Sequence, residues 1–311
     1  MRFLLFILFF SLTLYAGMLS PKVSVKTSSP VLDFVVRGGD VWAGTANGEA
    51  LRITTKGKII SNIALPPMVD SFGEKVKQKI MSIDLSSDAK TLIVAGEDGH
   101  LYTILGGKIT KTAYSTKTVV KKIAFISDSK VMLALLSNEV VFFDLKSNRI
   151  VKTLSGGTSP LSDMALSSDK KIALIAGEAG VVSAIDTDQM KIMRRIHGGN
   201  VDNIYKIDIQ NNRVLTAGQD RRAILYTLDG KSYIRFNGSF LIYAAALSPS
   251  ARVMAATMDE ENLISIFDTI KRQKIATAKG HSATLNRIVF IDEKQFVSCA
   301  DENKILFWEL P

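Results

Sequence analysis

A segment of about forty residues recurs down this chain, and that period constrains the fold more than any other feature. Each unit runs as an apolar strand, a polar turn, a second apolar strand, an acidic or glycine turn, and a third strand. The clearest copies are IMSIDLSSDAKTLIVAGEDGHLYTI from Ile80, LSDMALSSDKKIALIAGEAGVVSAID from Leu161, AALSPSARVMAATMDEENLISIFD from Ala245 and RIVFIDEKQFVSCADENKILFWEL from Arg287. Polar turns fall near Asp88, Asp128, Asp169, Asn211, Ser250 and Asp292. Short strands at such a fixed period, four to a unit, are the signature of a β-propeller. One unit buries its sheet only against its neighbours, so the units stand or fall together. The expectation is an all-β, seven-bladed propeller occupying residues 22–311 as a single domain.

The 311 residues are 47% hydrophobic, enough for one large core. Residues 1–17 read as a secretory signal peptide. Arg2 gives a positive start, Phe3 to Tyr15 is almost wholly apolar, and Leu14-Tyr15-Ala16 precedes a cleavage point near Ala16. The apolar run is about thirteen residues, short of the ~20 that span a membrane, so an uncleaved anchor is the lesser alternative. The mature chain is expected to begin between Gly17 and Pro21. It would be a soluble periplasmic monomer with no stable membrane insertion. No cysteine follows the apolar run to take a lipid, which counts against an outer-membrane assembly role. Cys299 is the only cysteine, so no internal disulfide can form, and its place in QFVSCA marks it as a small buried hydrophobe. The net charge of +9 is spread through turns with no block of five like charges. Together with export, this argues against nucleic acid as a partner.

Seven units can be laid out, beginning at Val31, Ile80, Lys121, Leu161, Val201, Leu241 and Thr284. The last has three strands, NRIVFI, QFVSCA and KILFWEL, and would leave an unpaired edge. Lys22 to Thr27, KVSVKT, alternates as a half-buried strand should and is expected to supply the missing outer strand. One junction, Pro66 to Lys79, is longer than all the others.

The final unit carries the strongest resemblance. GHSATLNRIVF places His281 after Gly280, with Leu285 four and Ile288 seven residues on; CADENKILFWE places Trp308 seven residues after Asp301. This resembles the WD40 repeat family. The resemblance implies a buried hydrogen-bonded set of His281, Asp301 and Trp308, with Ser298 as the hydroxyl. A weaker copy in the fifth unit has His197, Val201, Ile204 and Asp220, with Thr227 at the Trp position. The resemblance makes these residues structural and not catalytic. The fourth unit has Ala179 at the acidic position. The whole chain is also similar to short exported accessory propellers found with periplasmic nitrate reductase genes in some bacteria. That likeness implies a protein partner among the components of periplasmic nitrate reductase.

Chemistry is sparse. His100, His197 and His281 lie in different units, no metal-ligand spacing is evident, and C-x-x-C-H is absent, so no metal, haem or other cofactor is expected. The paired glycines are turns without a following helix to cradle phosphate, and there is no G-x-S-x-G elbow. Acidic and basic residues are read as lying in turns instead of at strand starts. No catalytic, cofactor or metal residues are assigned. What remains is a docking surface: Phe72, Lys75, Lys77 and Lys79 on the long connection, joined by Arg221 and Arg222 on the same face. The functional expectation is a non-catalytic, exported interaction scaffold or accessory factor. The alternative is a propeller enzyme or redox protein with a cofactor or substrate site in its central channel.

Overall fold

The structure is a computed structural model that describes residues 17–311. The signal-peptide reading of residues 1–17 therefore falls, apart from Gly17, outside the described residues. The described chain is all strand and turn. Seven blades follow one another, each with four antiparallel strands running from an inner to an outer strand. The inner strands are Val31–Arg37, Ile80–Leu85, Val120–Phe125, Leu161–Leu166, Ile204–Gln210, Ala245–Leu247 and Leu285–Phe290 in blades 1 to 7. The outer strands of blades 1 to 6 are Ile59–Ala64, Lys108–Ser115, Arg149–Ser155, Lys191–Ile196, Tyr233–Asn237 and Gln273–Ala278.

The blades are held by apolar side chains that alternate across each strand and meet the next blade. Ile93, Ala95 and Leu101 of blade 2 pack with Ile123, Phe125 and Leu133 of blade 3, and the same arrangement recurs around the ring. Turn chemistry sets the first hairpin of blades 2 and 4. Asp88 accepts from the Ser86 hydroxyl at 2.6 Å and from the Lys90 N–H at 3.1 Å, which holds Ala89 at a φ of 57°. Asp169 repeats the device with Ser167 and Lys171 around Lys170, at a φ of 60°. A carboxylate that bonds its own turn offsets the cost of a left-handed non-glycine residue.

Val23–Lys26 pairs antiparallel with Lys304–Glu309, Val23 opposite Phe307 and Val25 opposite Ile305, and so forms the outer strand of blade 7. Val25, 5% exposed, enters the cluster that joins blade 7 to blade 1 through Phe34, Val297 and Ile305. Gly17–Leu19 adds a further strand, parallel to the outer strand of blade 6. The Leu19 carbonyl accepts the Lys279 N–H at 3.0 Å, and Leu19 packs on the cluster between blades 6 and 7. The propeller thus includes residues ahead of 22.

The long connection is an ordered hairpin, Met68–Val69 paired with Lys75–Val76. Asp70 accepts N–H bonds from Phe72 and Glu74, each at 2.9 Å, and Gly73 turns at a φ of 84°. At its base Gln78 is buried and donates to the Pro66 carbonyl at 2.7 Å.

Candidate functional site

Blade 7 builds a chain of four side chains. His281 Nε2 lies 2.7 Å from Ser298 Oγ, and His281 Nδ1 lies 2.5 Å from Glu302 Oε1. Trp308 Nε1–H donates to Ser298 Oγ at 2.8 Å. The partners fix the protons. The ionised Glu302 carboxylate can only accept, so Nδ1–H donates to it; in the neutral ring Nε2 then accepts from the Ser298 hydroxyl, whose oxygen accepts from Trp308. Burial holds the His281 pKa below its ordinary value, with Glu302 only partly offsetting it. Burial would raise the Glu302 pKa, but hydrogen bonds from Ser282, His281 and Lys304 outweigh it and hold the carboxylate ionised.

A hydroxyl, an imidazole and a carboxylate in this order are the parts of a nucleophilic triad. Here they cannot act as one. Ser298 is 0% exposed, and Trp308 Nε1 takes up its oxygen. The set ties strands together and reaches no substrate.

The acid differs from the one expected. Asp301 is exposed and accepts from Asn286 Nδ2 at 2.9 Å, outside the network. Glu302, two residues past the second strand, occupies the acidic position. In blade 5 the same offset past Gly218 gives Asp220, and past Gly177 in blade 4 it gives Ala179. His197 is exposed and takes no part in the blade 5 network; Asn200 stands in its place. Asn200 Nδ2 donates to Asp220 Oδ1 at 3.0 Å, and Thr216 Oγ1 donates to Asn200 Oδ1 at 2.5 Å. Tyr226, not Thr227, fills the Trp position, and its hydroxyl accepts the Gly199 and Asn200 N–H groups at 3.1 and 3.3 Å. The signal was present in the spacing: Asn200 precedes Ile204 by four residues, as His281 precedes Leu285.

The docking residues do not form one patch. Phe72 stands at the hairpin tip, 88% exposed, with Lys75 and Lys77 exposed beside it and without ion-pair partners among the described residues. Lys79 is held by Glu97 at 2.5 Å. Hydrogen bonds such as Glu97 N–H to the Lys79 carbonyl, 2.9 Å, confirm that connections between blades share a face with the second turns. Arg221 is exposed on that face. Arg222 is drawn back to Asp220 at 3.8 Å and to the Gly199 carbonyl at 3.2 Å. The hairpin lies between blades 1 and 2, and blade 5 is across the ring of seven, so Arg221 and Arg222 do not adjoin the hairpin.

Charges are also found where the turn-based reading did not put them. Inner strands carry Asp33, Asp84, Lys122, Asp163, Lys206, Asp208 and Arg287 around the central channel, a cavity of about 250 Å³. Lys122 Nζ sits 2.6 and 2.7 Å from the two oxygens of Asp33, and Arg287 approaches the same carboxylate at 3.2 Å. Burial would raise the Asp33 pKa, but Lys122, Arg287 and the Ser82 hydroxyl hold it at about 2. Cys299, fully buried, has its thiol pushed up to about 12 by burial, which makes it unreactive. No cluster of metal ligands occurs among the described residues.

This architecture decides the fold. The chain is a WD40-like seven-bladed β-propeller. No family model matches it. Among curated proteins it is similar to U3 small nucleolar RNA-associated protein 15 of Saccharomyces cerevisiae, at 27% identity over 185 residues. The match covers 56% of this chain and 35% of that protein, so it spans about a third of the relative's length.

Proposed function

We propose that the protein is an exported, non-catalytic scaffold that docks another protein through the hairpin between blades 1 and 2. The observation that carries this reading is Phe72. A fully presented aromatic on an ordered hairpin, flanked by exposed Lys75 and Lys77, is the one long departure from an otherwise regular ring. Aromatic side chains supply much of the energy of protein interfaces, and rim lysines speed encounter with an acidic surface. Export rests on the apolar segment ahead of Gly17. The likeness to NapL, the accessory protein of periplasmic nitrate reductase gene clusters, rests on size, apolar leader and repeat style. It nominates components of that reductase as the partner.

The test is direct binding of purified periplasmic nitrate reductase subunits to the mature chain. Phe72→Ala should weaken capture at least about tenfold, the scale of one aromatic anchor. Replacing residues 68–76 by a short turn should abolish it, and Gln78 must be spared because it is buried. Added salt should weaken binding by wild type. Unchanged capture by the hairpin replacement would place the docking surface elsewhere. N-terminal sequencing of the fractionated protein tests export. An intact Met1 in washed membranes would overturn it.

A further inference from the structure

We propose that the central channel binds one compact oxyanion, gripped between Lys206 and Arg287 where blade 6 supplies only Ala244. This goes beyond the docking role and does not depend on it. Strand register brings one residue from each inner strand to a common level: Asp33, Ser82, Lys122, Asp163, Lys206, Ala244 and Arg287. In six of the blades the ladder shifts just before this residue, so the bulge turns its side chain inward.

The level holds three cations against two carboxylates, and the carboxylates are unequally engaged. Asp33 is saturated. It accepts from Phe34 N–H at 3.0 Å, Ile83 N–H at 3.1 Å and Ser82 Oγ at 2.7 Å, besides both contacts from Lys122. Lys122 reaches it across the small Ser82 of the intervening blade. Asp163 accepts the Ile207 N–H at 3.0 Å. Two residues further along the strands, Asp84 is taken by Arg37 at 3.5 Å and by the Phe125 N–H at 2.7 Å. Asp208 accepts the Ile209 and Leu247 N–H groups, both at 2.8 Å.

The two cations with no carboxylate to themselves, Lys206 and Arg287, therefore lie on one side, bordered by Asp163 and Asp208, which accept only backbone N–H groups. Lys206 has no ion pair among the described residues. Arg287 Nε is buried without a hydrogen-bond acceptor, and the guanidinium meets Asp33 only at 3.2 Å, behind Lys122. Its side chain keeps 20% exposure, and it lines the cavity. A buried N–H without an acceptor is costly, and a guanidinium presents its donors in the plane that suits an oxyanion. About 250 Å³ is the room of roughly eight waters at ~30 Å³ each, enough for a carboxylate, sulfate or phosphate with some hydration. Asp163 and Asp208 border the site and restrict it to a single small anion.

The experiment titrates the full mature chain with acetate, sulfate and phosphate against chloride at matched ionic strength, reading calorimetric binding and melting temperature. Saturable one-to-one binding is expected, and whether acetate or the tetrahedral anions bind better identifies the ligand class. Lys206→Gln and Arg287→Gln should each weaken binding by at least about tenfold, the loss of one charge-assisted contact. Lys152→Gln, on the exposed outer strand of blade 3, should not. If Arg287→Gln fails to fold, Lys206→Gln decides alone, because Lys206 has no ion pair to lose. Absence of saturable binding by any of the three anions, or unchanged affinity in the Lys206 variant, overturns the proposal.

Discussion

Ser298→Ala tests the reading of blade 7 most sharply, because every hydrogen bond in the set except that of Glu302 passes through one oxygen. The substitution removes no packing volume of consequence. It strands two buried groups, Trp308 Nε1–H and His281 Nε2, now at 2.8 and 2.7 Å from Ser298 Oγ. Leaving a buried polar atom unsatisfied costs about 1–3 kcal/mol, so the pair should lose about 3 kcal/mol after local adjustment. At ~2.1 cal/mol/K per residue, a ring of about 300 residues unfolds with an entropy near ~0.6 kcal/mol/K, and the melting temperature should fall by about 5 °C. Differential scanning calorimetry of wild type, Ser298→Ala and Asp301→Ala decides it. Asp301→Ala should move the midpoint by less than about 1 °C, since an exposed polar contact contributes little. A Ser298→Ala midpoint within that same margin would refute the structural role. So would covalent labelling of Ser298 in the folded protein by a serine-reactive electrophile.

Other outcomes follow from the same geometry. His281 has its pKa lowered below the ordinary 6.5, so the unfolded chain binds its proton first; stability is full above that pH and should decline as pH falls through it. His281→Asn, which copies the Asn200 arrangement of blade 5, should flatten that decline in urea titrations across the pH range. Asp33, held at about 2 against an ordinary 3.8, contributes stability present above 3.8 and lost as pH drops towards 2. Lys122→Met alone should cost about 3–5 kcal/mol by leaving Asp33 underpaired, and Asp33→Asn in the same chain should recover part of it. Val25→Asp places a carboxylate in the seam between blades 7 and 1; it should lower the midpoint and raise aggregation in light scattering through the freed edge of Lys304–Glu309.

The period of about forty residues was enough to lay out the blades, because burial against two neighbours forces the same strand–turn rhythm on each unit. The alternation in Lys22–Thr27 likewise marked the closing strand. Other features were hidden for physical reasons. Three residues, Gly17–Leu19, are too few to show a period, and they follow directly on the apolar run that begins at Phe3. Glu302 was missed beside Asp301 because two adjacent acids in a turn look alike until strand pairing shows that Ala300 is the last paired residue. Asn200 and Tyr226 perform the work of a histidine and a tryptophan with different atoms, which spacing alone can reveal. The channel charges were concealed because the inward face of an inner strand alternates polar and apolar just as a solvent face does.

Ring closure also sets an order of events. Val23 pairs with Phe307, so a strand made early waits for one made about 280 residues later. Bridging that separation from an open chain costs about 5 kcal/mol in loop entropy, a cost that falls once the intervening blades have already brought the ends together. Until then KVSVKT is an unpaired edge at risk of joining the wrong partner. Its composition is suited to the wait. Val23, Val25 and Thr27 turn inward, while Lys22, Ser24 and Lys26 are exposed and disfavour stacking of one chain's edge on another's. The same short segment thus serves as a latch in the finished ring and as its own guard while the ring is being made.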